Sequence, residues 1–210
     1  MSTKQDRVKY ANCMTFIRYR LEVIERLIEK KVTTGYEIPD LESACLQFRK
    51  IFELIAMASL CANRERCEEV KGRFDKLWNA AEIIKFVERL NPHFYPIPIN
   101  RQLNSDPATG GTISILESGF LTRDELVEAH GRCGDLLHAD NPYREMELAA
   151  DEWRDRFIDW FQKTMSLLKL HTIQLIDEDV QWWVAMRFGT NQPVQVAEMM
   201  KTNKALDTKT

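Results

Sequence analysis

Tyr10-Ala-Asn-Cys-Met-Thr-Phe-Ile-Arg-Tyr-Arg-Leu-Glu-Val-Ile-Glu-Arg-Leu-Ile28 repeats its apolar residues every three or four positions. Tyr10, Cys13, Met14, Ile17, Leu21, Ile24 and Ile28 fall on one helical face, while Arg18, Arg20, Glu22, Glu25, Arg26 and Glu29 fall largely elsewhere. The spacing predicts a long amphipathic helix that needs a partner for its apolar side. Thr33-Thr34-Gly35 ends it, and Asp40 is placed to cap a second helix. There Leu41, Ala44, Cys45, Phe48, Ile51, Phe52, Ile55, Ala58 and Ser59 make an apolar stripe so wide that the helix belongs at the centre of a bundle.

Outward from these two helices the pattern stays helical for most of the chain. A third helix is expected over 74–90, stopped by Asn91-Pro92 because proline disfavours helical backbone in the residue before it. Residues 94–119, with Pro96, Pro98 and Gly110-Gly111, read as a long loop holding one short strand at 112–116; two prolines argue against an interior strand at 95–99. Thr122 with Glu125 three positions on forms a capping box for a fourth helix through Leu126, Ala129, Cys133 and Leu136. Beyond Asn141-Pro142 a fifth helix carries Met146, Leu148, Trp153, Phe157, Trp160, Phe161, Met165 and Leu168, its aromatic residues at core spacing.

The period then changes from helix to strand. Trp182, Val184, Met186 and Phe188 alternate with Gln181, Trp183, Ala185 and Arg187, and shorter alternation recurs in 171–176 and 194–196. Asp177-Glu178-Asp179 and Gly189-Thr190-Asn191 are the turns of an antiparallel meander. Trp182 and Trp183 must face opposite sides of their strand, so only one belongs to the main core. The expected organisation is a mainly α antiparallel helical bundle over 1–170 with a long loop at 92–120, a small C-terminal β-meander over 171–200, and a disordered polar tail over 201–210.

Composition narrows the function classes. The chain has 210 residues, 44% hydrophobic and 29% charged, with a net charge of −3, which removes the basic excess of a non-specific nucleic-acid binder and leaves room only for a local patch. The charged stretch 64–76 mixes both signs and reads as a solvated surface. No run reaches the length of a membrane span, no signal sequence is evident at the start, and five cysteines without paired spacing read as reduced thiols; the expected location is the cytoplasm. Zinc-finger ligand spacing, a phosphate loop, a dinucleotide fingerprint, a nucleophile elbow and a two-histidine zinc-protease helix are all missing. No metal and no cofactor are expected.

One stretch gathers chemistry. Glu128-Ala-His-Gly-Arg-Cys-Gly-Asp-Leu-Leu-His-Ala-Asp-Asn-Pro-Tyr143 contains two of the four histidines, an arginine, two aspartates and two glycines. Arginine stays charged and histidine titrates near neutrality, so Arg132 is suited to stabilising phosphate charge and His138 to moving a proton to or from a ribose hydroxyl. Asp135 is placed to orient His138, and His130 is a second imidazole close by. Gly131 and Gly134 in a helix invite a close approach from outside it, since each costs about 1 kcal/mol against alanine.

The spacing of Arg132 and His138, separated by Cys133, Gly134, Asp135, Leu136 and Leu137, resembles the motif of the HEPN superfamily, an arginine followed after four to six residues by a histidine. Arg123 and His130 form a second match, with Asp124 supplying the polar neighbour that active members place after the arginine; at Arg132 that neighbour is Cys133. The resemblance spans roughly 10–170. It implies a helical bundle that dimerises to bring two motifs into one cleft and, in active members, metal-independent RNA cleavage of the defence or toxin type. The expected partners are a second copy and RNA. The competing reading is a non-catalytic helical protein–protein interaction module that holds a protein partner through the C-terminal strand edge, with Arg132 merely paired to Asp135 or Glu128. A third, small-ligand binding beneath the loop at 94–119, rests on loop length alone.

Overall fold

The computed structural model describes residues 4–64, 79–103, 111–138, 149–176 and 179–200. They form five helices and five strands: α1 (Lys4–Ile28), α2 (Glu37–Ala62), α3 (Ala80–Leu90), β1 (Ile97–Leu103), β2 (Gly111–Ile115), α4 (Arg123–Leu137), α5 (Ala150–Leu168), β3 (Leu170–Gln174), β4 (Val180–Ala185) and β5 (Gln195–Met200). The protein is mainly α-helical with a small antiparallel sheet of order β2-β1-β3-β4-β5. The start of the third helix at 74, most of the charged stretch 64–76, Cys67, Asn141-Pro142 with Met146 and Leu148, and the tail from Lys201 lie outside the described residues.

The core follows the apolar periodicity. On α1 the residues Tyr10, Met14, Ile17, Leu21 and Ile24 are buried, and α2, apolar on most sides, packs against every other helix. Between α2 and α5, Phe48, Phe52, Phe157 and Trp160 make an aromatic cluster of stacked and edge-to-face rings 5.4–6.0 Å apart. Asp40 does not cap α2, which begins three residues earlier at Glu37. Its carboxylate accepts instead from Thr33 Oγ1 at 2.6 Å and Thr34 N at 2.7 Å, bracing the α1–α2 turn and holding its own acid below the usual range.

The sheet corrects the loop expected at 94–119. The short strand expected at 112–116 is present as β2, but residues 97–103 form a second strand, β1, which pairs antiparallel with β2 and joins β3 through Ile97 opposite Thr172 and Pro98 opposite His171. The prolines fit because residues alternate in the edge to which their amide groups point. Pro98 O accepts from Leu116 N at 2.9 Å, on the side of β2, so the missing donors of Pro98 and Pro96 face the edge where β2 has run out, and Ile97 faces β3. The C-terminal strands therefore extend a sheet that starts within the helical part of the sequence.

One face of the sheet is pressed on α1. His171, Ile173, Trp182 and Val184 are buried on it, whereas Trp183, on the other face, is half-buried. Tyr10 donates its hydroxyl to His171 Nε2 at 2.8 Å, and His171 Nδ1 donates to Leu168 O at 2.9 Å, which fixes the neutral tautomer. Burial depresses His171 to about 4. Arg18, expected in solvent, is buried because its guanidinium donates to Gln192 O at 2.8 Å and Met186 O at 3.4 Å across the β4–β5 connection. β4 ends at Ala185, where Arg187 at φ +56° and Gly189 at φ +68° turn the chain. A buried amide relay, Asn91 Nδ2 to Asn63 Oδ1 at 2.8 Å and to Gln174 O at 2.9 Å, joins the ends of α2 and α3 to β3.

Candidate functional site

α4 is set by its first turn. Thr122 Oγ1 accepts from Glu125 N at 3.2 Å while Glu125 Oε2 accepts from Thr122 N at 2.8 Å, the capping box expected from sequence. Lys163 Nζ reaches the same carboxylate at 2.7 Å from α5. With the helix so anchored, Leu126, Ala129, Cys133 and Leu136 turn inward and the remaining positions are divided between the margin with α2 and open solvent.

The four candidate residues part company on this helix. His130 faces inward and is only 5% exposed. Its Nε2 lies 3.6 Å from Glu53 Oε1 of α2 and finds no hydrogen-bond partner among the described residues. Burial and then the charge of Arg49 lower its pKa, against the pull of Glu53, so the ring is neutral at neutral pH. His130 is thus a polar member of the α2–α4 interface rather than part of an open site. Arg132 and Asp135 lie on the opposite, exposed face, and Arg132 Nε donates to Glu128 Oε1 at 2.9 Å. His138 is exposed at the C-cap of α4.

Arg123, the head of the second motif, is held by Glu88 of α3 and by Asp124, so it serves to tie α3 to α4. Gly134 has a defined neighbour. A Cβ built there would lie 3.1 Å from Arg49 Nη1, so the absent side chain makes room for a guanidinium from α2. Arg49 Nε is 3.4 Å from Glu53 Oε1, and Lys50 Nζ is 3.0 Å from Glu53 Oε2. Arg49 was not marked by the sequence, since 83 residues separate it from Arg132; the only hint was a glycine inside a helix. Beneath the same margin Cys45 Sγ lies 3.7 Å from Cys133 O, and contact with Cys45 together with burial raises the Cys133 thiol.

A cavity of about 430 Å³ opens elsewhere, with Leu27, Ile28, Leu41, Ala44 and Phe157 on its floor and Arg154, paired to Glu37, at its rim. It lies at the α1–α2 turn and not under 94–119. Among the described residues no group of three or more His, Cys, Asp or Glu side chains is placed to hold a metal ion, and no helix is long and apolar enough to cross a membrane. What the α4 margin offers chemically is a fixed guanidinium, a second exposed guanidinium and an accessible imidazole at a helix end. Comparison with protein-family models, with curated proteins and with solved structures finds no match for this chain.

Proposed function

We propose that the protein is an RNA-directed, HEPN-like helical bundle of the cytoplasm that cleaves RNA without a metal, as a homodimer of the defence or toxin type. The observation that supports this reading best is the exposure of Arg132, Asp135 and His138 together along the C-terminal half of α4, where a large substrate has access. Among the described residues Arg132 is engaged only in a surface ion pair with Glu128, worth about 1 kcal/mol or less, which a phosphate exchanges at little cost. In this reading Arg132 meets phosphate charge, His138 moves the ribose proton and Asp135 orients it; His130 is withdrawn from the site because it is buried. The test is cleavage of a mixed pool of structured and unstructured RNA in chelator by the wild type and by folded His138→Ala and Arg132→Ala variants. Loss of cleavage in His138→Ala supports the reading, and wild-type protein that leaves every RNA intact counts against it.

The homodimer in this reading is supported by a specific feature of α1. Val8, Phe16, Tyr19 and Val23 form a second apolar row on its outer face, each more than 40% exposed. In an antiparallel pair of α1 helices Val8 meets the partner's Val23 and Asn12 the partner's Tyr19, because both pairs are symmetric about the same midpoint, as a two-fold contact requires. Phe16→Glu, whose side chain already faces solvent, then shifts a dimer to monomer in sedimentation without loss of folding; a monomeric wild type removes the support.

A further inference from the structure

His130 and Gly134 lie one turn apart on α4 and His138 follows four positions on at its C-cap, a row read along one side of the helix. Arg132 lies two positions from Gly134, roughly 160° away around the helix. The guanidinium beside the row is therefore not that of Arg132. It is that of Arg49, whose Nη1 lies where a Gly134 side chain would be, one turn before His138 in the chain. We propose that Arg49 of α2 is the residue that grips the phosphodiester of a bound RNA beside His138, with Arg132 contributing only from the outer face. This rests on the RNA-directed reading above and changes which residues make up its site.

Three observations carry the assignment. Arg49 is pre-positioned: its Nε is held by Glu53 and its tip by the groove over Gly134, so little rotamer freedom is lost when its fork takes two anionic oxygens. It is also one-third exposed, which makes it reachable, whereas its neighbour His130 is buried. Third, Lys50 adds a second cation to the same carboxylate, so Arg49, Lys50 and Glu53 leave this corner net positive in a chain whose overall charge is −3. A monoanionic phosphodiester matches that single excess charge.

The experiment uses the full-length protein and two probes. A fluorescein-labelled, fully 2′-O-methylated single-stranded oligoribonucleotide, which cannot be cleaved through its ribose hydroxyls, reports binding by anisotropy, and the unmodified RNA of the same sequence reports cleavage. Arg49→Gln is expected to weaken binding at least about tenfold and Arg49→Lys less, because lysine keeps the charge without the fork; Arg132→Gln changes binding by about threefold or less. Equal thermal midpoints for Arg49→Lys and wild type separate the effect from misfolding. Wild-type cleavage that survives Arg49→Gln with binding unchanged overturns the Arg49 assignment and leaves the nuclease reading standing. Binding that depends on Arg49 without any cleavage supports the assignment and removes the nuclease, and a wild type that neither binds nor cleaves overturns both.

Discussion

Gly131 and Gly134 carry the same intrinsic helix penalty, but only Gly134 has a side chain packed where its own would be. Gly131→Ala is expected to raise stability by about 1 kcal/mol and to leave RNA binding alone, since nothing lies within 4 Å of its added methyl. Gly134→Ala gains less, because Arg49 Nη1, 3.1 Å from the new carbon, must move, and it weakens binding of the methylated oligonucleotide. Urea midpoints and anisotropy on the two variants check this, and identical behaviour would show that the Arg49 contact matters to neither property. His171 makes a second residue-level prediction. Its folded value is depressed from 6.5 to about 4, so between those values the unfolded chain holds more protons. Its contribution is intact above about pH 6.5 and falls by roughly 3 kcal/mol as the pH drops to about 4. Unfolding titrations at pH 7, 5 and 4 should show this slope in the wild type and a shallower one in Tyr10→Phe/His171→Leu; equal slopes would sink it. At this scale the sequence was least legible. Spacing along the chain ranks neighbours by position, so it grouped His130 with Arg132 and missed Arg49, which only helix packing brings near.

Helices were legible because their evidence is periodic and local: the apolar faces of α1 and α2 and the capping box of α4 stand where the pattern places them, although α2 starts ahead of Asp40. β1 was not, because counting prolines tells how many donors a strand lacks and not which edge they would have faced; here they face the side where β2 has ended. The cysteines show the same contrast. Cys13 and Cys61 touch across α1 and α2, and Cys45 and Cys133 touch across α2 and α4, pairings that no spacing in the chain suggests. All four are free thiols, with Cys13 and Cys61 half-buried and Cys45 and Cys133 buried. The contact with Cys13 lowers Cys61, helped by the charges of Lys9 and Arg64, and raises Cys13. Iodoacetamide at pH 8 should therefore label Cys61 first among these four and Cys133 only on unfolding, as peptide mapping over time will show. Equal rates at Cys61 and Cys133 would contradict the packing of α4 on α2.

For the whole molecule, the sequence pattern suggested a helical unit with strands appended, whereas the sheet runs from the hairpin at 97–115 through the C-terminal strands and is covered by α1. A fragment ending at residue 169 would leave Tyr10 without His171 and the face now covering Trp182 bare. It is expected to lose cooperative unfolding and to bind a hydrophobic dye, as circular dichroism and fluorescence will report; a sharp, wild-type-like transition would mean that the helices suffice. The meander β3-β4-β5 stands as the alternation and turns suggest, whereas the pairing of β3 with β1 was hidden because alternation identifies a strand but not what it pairs with on its other edge. Arg7 pairs with Glu198, Arg18 with Gln192 and Tyr10 with His171, separations of 191, 174 and 161 residues. A ribosome adding about 5–20 residues per second finishes α1 roughly nine to thirty-four seconds before its last contacts exist. Through that interval the apolar side of the first helix is shielded only in part, by α2 and later by α5, so a nascent chain keeps apolar surface bare until its final strands emerge.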